Sequence, residues 1–136
     1  MVPLLVVLLF SVDIAAVKSE ADLERRSEMA LASADQELSA AKQAYTNGDD
    51  KAEEQALADV RSLVDVSYEA LEHANRPPRK SKYYKSAELK LTALMRRLSS
   101  FRDEVSFDSR SAVDSLIKRI SDVHDQVLAA IMSKKK

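Results

Sequence analysis

Beyond residue 80 the apolar positions Tyr84, Ala87, Leu91, Leu94, Leu98, Phe101 and Val105 recur at an unbroken 3,4,3,4,3,4 spacing. Residues three and four apart share one face of an α-helix, so the series predicts a helix with a single apolar seam. Leu31, Ala34, Leu38, Ala41 and Tyr45 keep the same rhythm earlier in the chain, as do Leu57, Val60, Val64, Leu71 and Ala74, with Ser67 standing where another apolar residue would fall. The last segment has a broader stripe: Val113, Leu116, Ile117, Ile120, Val123, Val127, Leu128 and Ile131 suit a helix that faces a core.

The breaks between these segments carry turn chemistry. At Asn47, Gly48, Asp49 and Asp50 the chain's only glycine can take the left-handed conformation that ends a helix, and Asp50 with Glu53 has the spacing of a capping box. Pro77 and Pro78, after Asn75 and Arg76, lack the N–H a helix needs and restrict the residues before them. Around Ser106, Phe107 and Asp108 the signal is thinner, with Asp108 a candidate cap, so the third and fourth segments could run on. The pattern therefore predicts helices over about 20–46, 50–75, 81–105 and 108–133, each about 38 Å long. Short connections between equal helices predict an all-α, antiparallel up-down-up-down four-helix bundle over residues 20–136. A helical pair that dimerises is the alternative, leaving monomer and homodimer both open.

Composition agrees with long helices: one glycine and three prolines in 136 residues leave little punctuation. No cysteine is present, which excludes disulfides, zinc thiolate sites and thiol catalysis. The net charge of −1 hides a division, because residues 19–75 hold 14 acids against 5 bases and residues 76–136 hold 7 acids against 15 bases. An acidic first hairpin is expected to dock against a basic second one, with opposite fields aligned.

Residues 2–17 are almost wholly apolar, and the run at 4–10 has the length of a signal-peptide core. It is shorter than the about 20 residues a spanning helix needs, and Asp13 interrupts it. The expectation is a signal peptide over 1–19 and an exported, periplasmic or secreted product, with small-residue cleavage patterns at Val17, Lys18 and Ser19 and at Ser19, Glu20 and Ala21. The start lacks a basic region, which leaves open an uncleaved lipid-facing anchor or an apolar helix of the bundle.

The densest candidate for binding is the stretch 76–85, where Arg76, Arg79, Lys80, Lys82 and Lys85 stand without an acid and beside Tyr83 and Tyr84. Cations and tyrosines in that arrangement can meet phosphate, an anionic surface or an acidic partner, although nucleic acid is not expected of an exported chain. Lysines 134–136 complement a helix C-terminus. Catalysis finds no support: there are only two histidines, no Ser/His/Asp grouping and no glycine-rich phosphate loop. His73 falls near a helix end, where an imidazolium meets the dipole favourably. His124 falls at the edge of the apolar stripe and is the one candidate for an interior ligand.

Ala21, Asp22, Leu23 and Glu24, with Pro77 and Pro78, resemble features of the exported haem-b four-helix cytochromes. That resemblance implies Met29 and His124 as axial ligands. Ala41, Tyr45, Gly48, Asp49, Ala52 and Ala56 resemble the turn of a tetratricopeptide repeat, without the recurrence that would make a repeat array. More broadly the chain resembles small exported bacterial helical-bundle proteins, a likeness that carries no site residues. The expected function is that of a non-enzymatic exported bundle acting through protein contacts, as an accessory, scaffold or chaperone-like module, with no cofactor and no metal. The alternatives are a ligand or haem carrier around His124 and anionic-surface binding through 76–85.

Overall fold

The computed structural model describes residues 13–133. The apolar run at 4–10 and the lysines at 134–136 lie outside the described residues. Within them the chain is all helical: α1 (Ile14–Lys18), α2 (Leu23–Thr46), α3 (Asp50–His73), a single 3₁₀ turn (Pro78–Lys80), α4 (Lys82–Glu104) and α5 (Phe107–Met132). Helices α2 to α5 form the four-helix bundle that the seams predict, and α1 is a short helix ahead of it.

Each break turns the chain for an identifiable reason. Gly48 sits at φ 74°, and the N–H of Asp49 donates to the carbonyl of Ala44 while that of Gly48 donates to Tyr45, the paired closure of a Schellman motif. The cap of α3 is Asp49 and not Asp50: its carboxylate accepts from the N–H of Ala52 at 3.1 Å, one residue earlier than the capping-box spacing implies. Helix α3 ends at His73, two residues short of the expected 75, because Asn75 adopts φ 58°, a left-handed conformation that asparagine tolerates. At the third break the chain does turn. Val105 is extended at ψ 160° and Ser106 takes the cap position, so Asp108, expected as the cap, lies inside the first turn of α5.

The seams are the core. Tyr84, Ala87, Leu91, Leu94, Leu98, Phe101 and Val105 are all buried, as are Leu31, Ala34, Leu38 and Ala41, whereas Tyr45 and Ala74 lie at the margin. Leu128, expected within the α5 stripe, is 36% exposed, because it falls on the flank of a stripe whose centre is Val113, Leu116, Ile120, Val123 and Val127. Burying side chains of this size contributes about 1.5–3 kcal/mol each, which makes the seams the main source of stability. Tyr45 packs edge-on to Phe101, with ring centroids 5.8 Å apart. The gap at Ser67 is filled by chemistry: its hydroxyl meets that of Ser27 at 2.8 Å, and both residues are buried.

Helix directions alternate along the chain, yet consecutive helices are not all neighbours. The close packings are α2 with α3, α4 with α5, α3 with α5, and α2 with α4. The connection 74–81 therefore crosses a diagonal, and its 3₁₀ turn packs against α5. In consequence α2 lies parallel to α4 and α3 parallel to α5, as shown by Glu24 meeting Ser81 near their first turns and Tyr45 meeting Phe101 near their last. The two hairpins dock in the predicted electrostatic sense. Asp35 of α2 pairs with Arg97 of α4, Asp65 of α3 pairs with Arg119 of α5 at 2.9 Å, and Glu24 pairs with Arg76 at 3.4 Å. In all three the acid comes from the first half and the base from the second.

Candidate functional site

The stretch 76–85 is assembled at one end of the bundle. Ser81 starts α4 by accepting from the N–H groups of Tyr83 at 3.1 Å and Tyr84 at 3.3 Å, and its own hydroxyl donates to Glu24 at 3.3 Å. Glu24 also holds Arg76, so one carboxylate from α2 fixes both ends of the diagonal connection. A cleft of about 410 Å³ opens between Glu24, Arg76, Pro77, Lys80, Ser81 and Tyr83.

The candidate residues divide sharply. Arg76 is committed to Glu24, and Tyr84 points into the core. Lys82 stands over the Tyr83 ring, 5.3 Å from its centroid, and Tyr83 is half-buried. Arg79, Lys80, Lys82 and Lys85 are all exposed, and none has an ion-pair partner among the described residues. Four cations thus project from a single turn and the start of a helix. Sequence reasoning missed Glu24 and Ser81 as the residues that set this loop. A serine at the first position of the helix predicted over 81–105 was a readable cap signal, whereas nothing in the pattern announced Glu24.

His124 lies on α5, half-buried against α4. Its Nε2 is 2.8 Å from a carboxylate oxygen of Glu88, and its Nδ1 is 3.2 Å from Asp125. The Thr92 hydroxyl, 3.2 Å away, helps to hold the same Glu88 carboxylate. Partial burial is the largest single influence on the imidazole and opposes its charge. The hydrogen bonds and charges of Glu88 and Asp125 together outweigh it, so the pKa is raised above 6.5. Both ring nitrogens are therefore engaged by carboxylates, and an axial metal bond at His124 would have to displace one of them. Met29 packs from α2 against the core. His73 is exposed at the end of α3, where its Nδ1 lies 2.8 Å from the Glu69 carbonyl.

Two further carboxylates are buried near the opposite end, Glu37 of α2 and Glu53 of α3. Burial, and then the charges of Asp50 and Glu54, raise the Glu53 pKa above its usual value, and one of its oxygens has no hydrogen-bond partner among the described residues. Among the described residues no group of three or more histidine, aspartate or glutamate side chains is placed to hold a metal ion. No helix among them is long and apolar enough to cross a membrane. The chain matches no protein-family model, no curated protein and no solved structure.

Proposed function

We propose that this chain is a non-enzymatic, exported accessory bundle that works by surface contact, and that its contact surface is the basic end formed by residues 76–85. The observation that carries this reading is the unbalanced charge there. Glu24, Asp35 and Asp65 of the first hairpin are spent on Arg76, Arg97 and Arg119, while Arg79, Lys80, Lys82 and Lys85 stay exposed beside a half-buried tyrosine. A surface of that kind attracts an anionic partner from a distance and offers Tyr83 as an apolar contact once it arrives. A carrier role around His124 has less in its favour, since the interior beside it is filled by Leu91, Leu94, Ile120 and Val123 and the imidazole already has two partners.

The reading is tested by placing a photoreactive residue at position 83, and at position 108 as a control at the other end, in the full chain within its own envelope. Adducts should form from position 83, should be scarce from position 108, and should be lost when Arg79, Lys80 and Lys82 are changed to glutamate. Equal labelling from both ends, or labelling indifferent to the charge reversal, would overturn it.

A further inference from the structure

We infer that the cleft beside Tyr83 is a phosphate-monoester site, so that what the loop 76–85 grips is a phosphoryl group carried on an apolar or planar body. The inference rests on residues 76–85 being the contact surface, and it adds the chemistry of the ligand and the place where it sits.

Positive charge at this end of the bundle is local. Exposed acids stand here too: Asp13 ahead of α1, Asp22 ahead of α2, and Glu69 and Glu72 on α3. None of them lines the cleft. Asp13 and Asp22 serve as caps, accepting from the N–H of Ala16 at 3.1 Å and from those of Glu24 and Arg25 at 3.1 and 3.3 Å. Within the cleft Arg76, Lys80 and Lys82 face one acid, Glu24, whose carboxylate is already engaged by Arg76 and Ser81. An anion is therefore selected at contact range, where three cations share one concavity, and the mixed field of the whole end has little part in it.

The lining suits a phosphate ester. Glu24 holds Arg76 through Nε at 3.4 Å, and neither terminal nitrogen of that guanidinium donates to a described residue, so its fork is open to a bidentate anion. Lys80 and Lys82 are exposed and add two ammonium groups without an ion-pair partner among the described residues. A carboxylate would offer these cations one charge and two oxygens. A phosphate monoester near neutral pH offers about 1.5–2 charges and three terminal oxygens, and matches them better. The start of α4 does not supply the site, because Ser81 already accepts from the N–H groups of Tyr83 and Tyr84, so the positive lining is made of side chains. Pro77 and Tyr83 give the cleft apolar walls, and Lys82 stands over the Tyr83 ring at 5.3 Å, which sets that ring beside the bound anion. A volume of about 410 Å³ is within the range of small-ligand pockets and leaves room for the organic body of an ester.

The test is titration calorimetry of the purified full chain with phenyl phosphate, benzoate and inorganic phosphate, with amide NMR shifts to locate the site. Phenyl phosphate should bind at one site with a Kd below about 1 mM, its shifts centred on residues 76–83, and the other two should bind at least about tenfold more weakly. Tyr83→Ala should remove the preference for phenyl phosphate over inorganic phosphate. Lys80→Gln with Lys82→Gln should weaken phenyl phosphate at least about tenfold, whereas Arg79→Gln with Lys85→Gln, which removes the same charge outside the cleft, should change it less than about twofold. Equal losses from the two pairs, or benzoate bound as well as phenyl phosphate, would overturn the site. Vesicles of phosphatidylcholine with and without phosphatidic acid separate the sources of the group: binding to the former that phenyl phosphate competes away assigns a lipid headgroup, and binding of phenyl phosphate alone assigns a soluble ester. If phenyl phosphate is ignored while position 83 still gives charge-dependent adducts, the ligand class falls and the contact surface stands. If phenyl phosphate binds while position 83 labels nothing, the cleft stands and the contact reading falls.

Discussion

The hydroxyl pair Ser27–Ser67 shows how a polar break in an apolar seam is tolerated. Each buried hydroxyl satisfies the other at 2.8 Å between α2 and α3, so removing one leaves its partner desolvated and unpaired. Ser27→Ala is expected to cost about 1–2 kcal/mol in urea unfolding, and the double replacement Ser27→Ala with Ser67→Ala to cost less than the sum of the single ones. His124 gives a second test at this scale. Its folded pKa lies above the ordinary value, so the folded state holds the proton more tightly. The resulting stability is fully present below about pH 6.5 and is lost as pH rises through the raised folded value. The groups facing the imidazole are Glu88 and Asp125, with Thr92 behind Glu88. Unfolding measured from pH 5 to pH 9 should show the wild type about 1 kcal/mol more stable than His124→Gln at the acid end, the difference shrinking toward the alkaline end. A difference that grows with pH would contradict the Glu88 contact.

At the scale of the element, the turns decide where helices stop, and Gly48 is the clearest case. It lies at φ 74°, and a Cβ added there would meet nothing within 4 Å, so any cost of Gly48→Ala is conformational and not steric crowding by neighbours. Thermal or chemical unfolding should register a loss of about 1 kcal/mol, with helix content unchanged. The seams and this glycine were legible in the sequence because periodicity and a missing side chain are local properties. The exact caps were less so. Asp49 and Asp50 are adjacent carboxylates, and only the register of the preceding Schellman closure decides that Asp49 faces the Ala52 N–H. Likewise Ser106 displaces Asp108 because the extended Val105 ends α4 early enough to begin α5 at Phe107. The partners of the candidate site were the least legible: Glu24 and Ser81 are 57 residues apart, and Glu88 and His124 are 36 apart. Spacing along one helix carries no information about contacts made across two.

For the whole molecule, the division of charge and the diagonal connection belong together. A simple ring of antiparallel neighbours would set α3 beside α4, whereas the crossing at 74–81 instead sets acidic α2 against α4 and acidic α3 against α5. Each interhairpin face then receives its own pair, Asp35 with Arg97 and Asp65 with Arg119. Both pairs are partly exposed, so each contributes about 0–1 kcal/mol and is weakened by salt. The core is worth far more, since a fully buried Leu98 cut back to alanine should cost about 2–5 kcal/mol. The pairs therefore direct which faces meet, and the seams hold them once met. Reversing the acids alone, Asp35→Arg with Asp65→Arg, sets like charges opposite Arg97 and Arg119 and should lower stability by about 1–3 kcal/mol at low salt. Adding Arg97→Asp and Arg119→Asp restores opposite signs with polarity exchanged, and most of that loss should return. Recovery in low salt that fades in high salt would assign the effect to the pairs themselves. No recovery would mean that Arg97 and Arg119 act through the packing of their aliphatic stems, in which case the docking of the hairpins is set by shape and the charge division serves the basic end alone.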